Sequence, residues 1–358
     1  MTTIARTTIG AGVDHGRRFR LGLLLYLNGE LPADQAFAEG LDLIVEAEHA
    51  GYDSVWVLQR HFKEGNEHIS APLIFLTAAA QRTSRIHLGT AVITLPLEDL
   101  IRLAEDAATL DALASGRLEL GLGSGPFAST WGPFGRDYGQ RQEIYEANLA
   151  RLTEILRGEP LSADGLRLHP SGLGVDARAW EATASAPQYA VRQAQAAAIR
   201  GHGLQFSRVN SFRAQTFADQ AELIEVYRDA WTRHDREPRI LTSRAVYPDH
   251  DRHAVHDKAR DGVEQWKRYL SAFGRYTPEQ VAAITTEEYL RLDGLAYATP
   301  DEIITTLLGD PSLETITDFL VSFVPLRPDL TEHRRLITET ARQIAEPLGW
   351  HPRPNPTT

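Results

Sequence analysis

The residues best suited to chemistry in this sequence start with Arg60 and His61. They follow a predicted strand, residues 53–58, after the single residue Gln59. Histidine exchanges a proton near neutral pH, whereas arginine stays charged and binds or stabilises anions. A lone histidine is more often a packed core residue than a catalytic one. Its place at the end of a predicted strand reverses that preference and indicates a reaction site.

Small and hydroxyl-bearing residues recur at the ends of the other predicted strands. They are Tyr26, Ala91, Val92, the Gly123-Ser124-Gly125 segment, residues Thr183 to Ser185, and Ser207, which is followed by the charged Arg208. No pair of carboxylates occurs among them, which favours an anionic, planar ligand over carboxylate-driven hydrolysis. The glycines at 121, 123 and 125 resemble a dinucleotide fingerprint, but Pro126 follows where a helix would have to open.

The stretch of residues 86–125 indicates how these residues are positioned. It predicts a strand over 86–92, a helix over about 100–114 and a second strand over 118–122. The apolar positions of the helix, spaced three and four apart, are Leu100, Leu103, Ala104, Ala107, Leu110 and Leu113. Two apolar strands joined by one helix form a right-handed unit with parallel strands.

Eight strand–helix pairs of this kind follow one another along the chain, with no phosphate-binding glycine motif in the first pair. The pattern therefore predicts an α/β fold, a (β/α)₈ TIM barrel with insertions, whose site lies at the carboxyl ends of the strands. We expect one barrel domain over residues 20–350, with insertions at about 158–177 and 274–298. Residues 1–19 and 351–358 are predicted to be tails.

Composition excludes several classes of function. The chain has 358 residues, is 42% hydrophobic and carries a formal net charge of -11 without a basic run, which argues against a nucleic-acid partner. It has no cysteine, so disulfides and thiolate chemistry are excluded. We find no apolar segment of signal-peptide or membrane-span length, and therefore expect a cytoplasmic protein that does not bind a membrane.

Two charged clusters have ordinary structural explanations, and one aromatic loop has two alternative roles. The spacing of His250, His253 and His256 resembles a metal site, but neighbouring aspartates favour a solvated turn, and we predict no metal. Ion pairing along one helix face accounts for Arg102, Glu105 and Asp106. The loop that carries Phe127, Trp131, Phe134 and Tyr138 is either a lid over the substrate or only loop packing.

Three segments together resemble the bacterial luciferase-like, flavin-dependent monooxygenase family. They are GYDSVWVLQRHF, RTSRIHLGTAVITLPLEDLIRLAEDAATLDALASGRLELGLGSG and FGRDYGQRQEIYEANL. The resemblance is clear over about residues 20–210. It implies a TIM barrel, a homodimer, and a two-component monooxygenase that receives reduced FMN from a separate flavin reductase. With O₂ the flavin would form a C4a-peroxyflavin and oxygenate a small organic substrate.

The resemblance also assigns roles to individual residues. Arg141, Thr183 and Ser185 correspond to positions that hold the flavin phosphate, the last two near a helix N-terminus. The peptide joining Ala91 and Val92 corresponds to a non-proline cis bond beneath the flavin ring. The implied cofactor-binding set is Ala91, Val92, Ser124, Arg141, Thr183, Ser185, Ser207 and Arg208, and the implied catalytic residues are His61 and Arg60.

Two departures from the family pattern leave other functions open. Arg60 stands where the family has the catalytic histidine of an EHHF segment, and Ser124 stands where many members have an arginine that contacts phosphate. The first alternative is a dehydrogenase or reductase that uses the deazaflavin F420 on the same barrel. The second is a flavin-binding protein without catalytic activity.

Overall fold

The computed structural model describes residues 19–62, 67–183, 187–207, 216–232, 235–270 and 276–352. Strands and helices alternate along this part of the chain, because apolar runs of strand length are separated by amphipathic helical segments. The strands are β1 (Arg20–Leu25), β2 (Ser54–Val57), β3 (His87–Thr90), β4 (Ile93–Thr94), β5 (Leu118–Gly123), β6 (Ala179–Ala182), β7 (Gly203–Gln205), β8 (Ile240–Pro248), β9 (Ala296–Ala298) and β10 (Asp318–Ser322).

Helices follow the strands and cover the outside of the sheet. They are α1 (Ala33–His49), α2 (Pro72–Ala80), α3 (Leu100–Leu113), α4 (Arg141–Leu156), α5 (Leu173–Ala177), α6 (Pro187–Arg200), α7 (Phe217–Asp229), α8 (Arg252–Leu270), α9 (Pro278–Ala283), α10 (Thr286–Asp293), α11 (Pro300–Leu308) and α12 (Leu330–Glu339). A π-helical turn, Thr340–Ala345, continues the last helix. Within the described ranges, no helix combines the length and apolar character needed to cross a membrane.

Eight strands close into a parallel barrel in the order β1-β2-β3-β5-β6-β7-β8-β10, and β10 pairs again with β1. Each helix returns the chain to the end where the previous strand began, so neighbouring strands run parallel. The predicted TIM barrel is confirmed. Two short strands were not predicted: β4 pairs with β5 just beyond the end of β3, and β9 pairs with β8.

Helix α3 illustrates how the sequence determines an element and where the pattern misleads. Asp99 caps its first turn by accepting hydrogen bonds from the N–H groups of Ile101 and Arg102, both at 3.0 Å. Four predicted stripe positions are buried against the sheet, namely Leu103, Ala104, Ala107 and Leu110. Leu113 does not belong to the stripe, because its side chain is 52% exposed. The helix ends there, so the last position faces solvent.

The segments predicted as insertions contain elements of their own. Residues 158–177 lead irregularly into α5, and the described part of 274–298 holds α9, α10 and β9. Thr277 and Gln280 form a reciprocal capping box at the start of α9. Most of the two predicted tails lies outside the described residues, so their boundaries stay predictions.

The inside of the barrel is packed with large apolar side chains. This inner cluster consists of Leu24, Trp56, Leu58, Trp180, Leu241 and Leu320. The rings of Trp56 and Trp180 meet edge to face, with centroids 5.7 Å apart. The cluster forms a solid floor beneath the end of the barrel where the strands finish.

Charged side chains fill the opposite end, where the strands begin. The Glu119 carboxylate accepts hydrogen bonds from the Arg20 guanidinium at 3.1 Å and from Trp180 Nε1 at 2.7 Å. Nδ1 of His87 lies 3.0 Å from the same carboxylate, and Arg20 Nε lies 3.4 Å from Asp318. These ion pairs close this end of the barrel, so a ligand site is expected at the other end.

Candidate active site

Arg60 and His61 lie together at the open end, directly after β2. The Arg60 N–H donates to the carbonyl of Ile69 at 2.7 Å, and its guanidinium lies over the ring of Phe127 at 4.9 Å. His61 packs edge to face on Phe134, with ring centroids 4.7 Å apart. Both predicted catalytic residues therefore meet the aromatic loop, a contact that the sequence did not predict.

The environment of His61 favours a neutral imidazole. Its Nε2 atom is shielded from solvent and has no hydrogen-bond partner among the residues that the structure describes. Burial lowers the pKa of His61, because the charged form loses hydration. A neutral ring with one uncommitted nitrogen is suited to accept a proton from a bound molecule.

The peptide bond between Ala91 and Val92 is cis in the structure, as the resemblance implies. It connects β3 to β4, and Ala91 packs against the inner apolar cluster. Gly123 of β5 lies beside it, and a side chain there would bring its Cβ atom 2.4 Å from a Val92 methyl group. Only glycine permits this close approach, so β5 and the cis peptide form one compact surface.

Gln59 holds this surface in place, a role that the sequence analysis did not predict. Its side-chain oxygen accepts a hydrogen bond from the N–H of Thr94 at 2.6 Å, just after the cis peptide. Its Nε2 donates to Glu98 at 2.7 Å. Burial raises the pKa of Glu98, although the bond from Gln59 opposes that rise. Gln59 thus ties the end of β2 to the segment between β4 and α3.

Small and polar side chains surround the floor of the open end. Gly123 and Ala182 have facing positions, since a Cβ atom on Gly123 would lie 3.5 Å from that of Ala182. Gln205 pairs in register with Leu241 of the inner cluster, and Ser322 lies two residues after Leu320 on the same face. Gln205 Oε1 and Ser322 Oγ are both shielded and lack a hydrogen-bond partner among the described residues. A flat ligand with polar edges fits such a cradle.

Arg141 and Ser124, two of the predicted cofactor-binding residues, lie at the start of α4 and directly after β5. Arg141 is the first residue of α4, and its guanidinium lies over the ring of Tyr138 at 4.3 Å. Ser124 Oγ accepts a hydrogen bond from Gln142 at 3.3 Å, and Gln142 accepts one from Gln193 of α6 at 3.0 Å. The start of α4, the end of β5 and helix α6 are therefore linked.

The remaining predicted cofactor residues follow β6 and β7. The Thr183 N–H donates to the carbonyl of Gln205 at 3.0 Å, which fixes its backbone at the end of β6. Ser207 is fixed through its carbonyl, which accepts a hydrogen bond from Gln220 at 2.8 Å. Ser185 and Arg208 lie outside the described residues, so their predicted roles stay predictions.

Glu67 is a second residue of the open end that the sequence did not indicate. Its carboxylate accepts hydrogen bonds from the N–H groups of Leu27 at 2.9 Å and His68 at 2.8 Å. Burial raises the pKa of Glu67 to about 7, although these N–H donors and the charge of Arg60 act against the rise. The carboxyl group therefore changes charge near neutral pH beside the predicted catalytic pair.

The sequence allowed two roles for the aromatic loop, a lid over the substrate or packing within the loop, and its side chains divide between these two kinds of contact. Trp131 is buried and packs edge to face on Tyr138 at 5.6 Å, within the loop itself. Phe134 is 38% exposed and reaches His61, while Phe127 reaches Arg60. The first contact is loop packing, whereas the other two place apolar rings beside the predicted catalytic residues.

The two charged clusters noted in the sequence lie outside the candidate site. Arg102 forms ion pairs with Glu105 at 2.5 Å and Asp106 at 2.9 Å along α3, as expected for pairing along one helix face. Nε2 of His256 lies 3.2 Å from the hydroxyl of Tyr297. Within the described ranges, no three side chains of the His, Cys, Asp or Glu type are grouped so as to hold a metal.

The sequence model of the luciferase-like monooxygenase family matches residues 19–316, a range that contains every barrel strand except β10. The chain belongs to this family. The resemblance identified from the three sequence segments is thereby confirmed.

This chain is similar to curated proteins named as a monooxygenase and as an F420-dependent dehydrogenase. It is 35% identical over 136 residues to 4-hydroxyprotoasukamycin monooxygenase of Streptomyces nodosus subsp. asukaensis, covering 37% of this chain and 36% of that protein. It is 38% identical over 117 residues to F420-dependent glucose-6-phosphate dehydrogenase of Kineococcus radiotolerans, covering 31% and 32% respectively. The matches span about a third of each relative's length, so they do not establish a shared activity.

Among solved structures, the fold is similar to the oxygenating constituent of 3,6-diketocamphane monooxygenase from Pseudomonas putida, a complex with FMN. The TM-score is 0.70 at 16% identity, over 92% of this chain and 98% of the other. At this identity the likeness establishes the shared barrel alone.

Proposed function

We propose that the protein is an FMN-dependent, two-component monooxygenase that uses reduced FMN and O₂ to oxygenate a small organic substrate. The observation that carries the proposal is the cradle at the open end. There the Ala91–Val92 peptide lies against the inner apolar cluster, flanked by small residues and by two shielded polar atoms without partners in the described chain. These features suit a flat ring with polar edges.

Bound reduced FMN would supply the electrons that convert O₂ into an oxidant, with one oxygen atom entering the substrate and the other leaving as water. Within the proposal, Arg141, Thr183 and Ser185 hold the phosphate, since a guanidinium and hydroxyls near a helix N-terminus suit an anion. Gln59 keeps the segment beneath the ring in position through Thr94.

In this proposal, Arg60 and His61 are the catalytic residues. The uncommitted Nε2 of His61 accepts and returns a proton, while the charged Arg60 stabilises negative charge that develops beside it. Phe127 and Phe134 lie against these two residues and exclude water from the reacting groups.

A titration of flavin-free protein with FMN, reduced FMN and F420 tests this proposal. We expect FMN to bind, and the Arg141→Ala variant to bind it at least tenfold more weakly, the loss of one charge-assisted contact. Arg136→Ala is the matched control, because Arg136 is exposed on the same loop. Tight F420 binding without FMN binding would overturn the proposal, and unchanged affinity of Arg141→Ala would remove that residue from the site.

The second candidate is an F420-dependent dehydrogenase or reductase. It is favoured by the identity to the Kineococcus protein and by Ser124, which provides less charge for a phosphate than arginine would. Oxygen consumption with reduced FMN separates the two candidates, since only the monooxygenase couples it to an oxygenated product. A protein that binds FMN without either activity would match the third, non-catalytic alternative.

The partners of the reaction are part of the same proposal. We propose that a separate flavin reductase supplies reduced FMN and that the protein is a homodimer. Light scattering of the purified protein gives its mass in solution. Turnover that depends on an added flavin reductase and NADH would support a two-component system.

A further inference from the structure

A cleft opens over the ends of β1 and β10, beside the cradle described above. It encloses roughly 770 Å³ of empty space, part of it open to solvent. Helices α1, α8 and α12 contribute its sides, and Leu24 and Tyr26 of the barrel form its base. Among the described residues, none of those implied as catalytic or cofactor-binding lines it, whereas Tyr26, named above at the end of a predicted strand, does.

Aromatic rings form much of its wall. Tyr26 and Trp266 meet edge to face at 5.9 Å, and Phe323 meets His333 in the same way at 5.2 Å. Burial lowers the pKa of His333 to about 4, so its ring is uncharged at neutral pH. Such walls suit the apolar body of a ring compound.

Two residues that line the cleft, Gln265 and Glu67, contribute hydrogen-bond acceptors. Gln265 Oε1 is shielded from solvent and has no hydrogen-bond partner in the part of the chain that the structure describes. The Glu67 carboxylate already receives two backbone N–H groups. A shielded amide oxygen without a donor is costly, so a bound molecule that donates to Gln265 recovers that cost.

The charges of the cleft disfavour an anion. Glu39 and Glu67 line it, and the lining cation Arg327 is paired with Glu30 at 2.7 Å. An anionic ligand would face these carboxylates without an uncommitted cation among the described lining residues. A neutral ligand avoids that repulsion.

The cleft also adjoins the cradle. Tyr26 on one side and Ala91 on the other both pack against the inner apolar cluster. A molecule in the cleft and a flat ring on Ala91 would therefore rest on one floor, in reach of each other.

We propose that this cleft binds the organic substrate, and that it selects an uncharged ring compound whose hydroxyl or N–H group donates a hydrogen bond to Gln265. The proposal rests on the monooxygenase function, because that function requires a substrate next to the flavin ring. Trp266 and Tyr26 hold the ring, while Gln265 determines which polar group is accepted.

Binding of three probes of the same size to flavin-free protein tests the proposal. The probes are phenol, a neutral donor; benzaldehyde, an acceptor only; and benzoate, an anion. Calorimetric titration should give phenol the highest affinity. Gln265→Leu should weaken phenol roughly fivefold, the effect of one hydrogen bond, and leave benzaldehyde unchanged. Gln265→Glu keeps a hydrogen-bond acceptor and should retain phenol binding. It therefore separates loss of the acceptor from a general effect of substitution at position 265.

Gln81→Leu is the matched control, because Gln81 is exposed at the end of α2, remote from the cleft. Equal phenol affinity in Gln265→Leu and wild type, or a preference for benzoate, would overturn the proposal. FMN affinity, measured on the same variants, should not change. A wild type that binds phenol but neither form of FMN would refute the proposed function while leaving the cleft's specificity established.

Discussion

The two ends of the barrel are built on opposite principles. At the closed end, Glu119 is surrounded by Arg20, His87 and Trp180 within hydrogen-bonding distance, and charge is matched by charge. At the open end, His61, Gln205 and Ser322 present shielded polar atoms that no described residue satisfies. Nδ1 of His87 and Oδ1 of Asp318 also lack a hydrogen bond to any described residue at the closed end, but they lie 3.0 Å from Glu119 and 3.4 Å from Arg20. At the open end, we propose that a ligand supplies the missing partners.

This difference indicates that the closed end contributes mainly to stability and the open end mainly to function. Buried ion pairs are costly to break, so the closed end determines whether the barrel holds together. Unsatisfied polar atoms cost stability, and a folded protein retains them where binding repays the cost. Substitutions at the closed end should therefore change the free energy of unfolding, and those at the open end should change binding and turnover.

The largest effect is expected for Glu119→Leu at the closed end. Burial alone would raise the pKa of Glu119, but Arg20, His87 and Arg239 outweigh it and hold the pKa well below its ordinary value. The variant leaves buried guanidinium groups without this partner, at a cost of about 3–5 kcal/mol. Urea unfolding measures the loss. A variant as stable as wild type would show that the network contributes nothing.

A pH effect of nearly this size is expected from Glu67 at the open end. Because its pKa rises from 4.5 to about 7 on folding, the stability it contributes is fully present below pH 4.5 and lost as pH rises through 7. The swing is roughly 3 kcal/mol. As the pH rises across this range, the free energy of unfolding of the wild type should therefore fall relative to that of Glu67→Gln, whose side chain does not titrate. Parallel curves would exclude the carboxyl group as the cause.

His61→Ala should lower turnover by about 100-fold, the usual contribution of a general base, with little change in FMN affinity. Since burial lowers the pKa of His61, the neutral base persists at neutral pH, and activity should fall only as the medium becomes acidic. Steady-state kinetics and an FMN titration measure the two quantities. Equal turnover in both proteins would mean that His61 is packing only.

The smallest effect is expected for Arg102→Ala on the exposed face of α3. Its ion pairs with Glu105 and Asp106 are solvent-exposed, and such pairs contribute about 0.5 kcal/mol or less. Urea unfolding should detect little change, and flavin binding none. A loss as large as that of Glu119→Leu would contradict the separation between surface pairs and the closed end.

The sequence alone was enough to predict the barrel, whereas the position of the site within it stays a prediction. Apolar runs alternating with amphipathic segments predicted eight strand–helix pairs, and all eight barrel strands are present. Gly51 comes shortly after the end of α1 and has φ of 94°, a backbone conformation that glycine adopts freely. The resemblance located the cis peptide at Ala91–Val92. These features depend on residue type and on spacing within one segment.

The tertiary structure decided which side chains meet across segments. Gln59 and Glu67 appear as ordinary polar residues in the sequence, yet one anchors Thr94 and the other joins the loops of Leu27 and His68. Tyr26 and Trp266 form one wall of a cleft although most of the barrel separates them along the chain. Periodicity determines which face of an element is buried, because it depends on neighbours in sequence. The hydrogen-bond partners, burial and pKa of a side chain depend on how elements distant in sequence pack together. The closure of the barrel determines that packing.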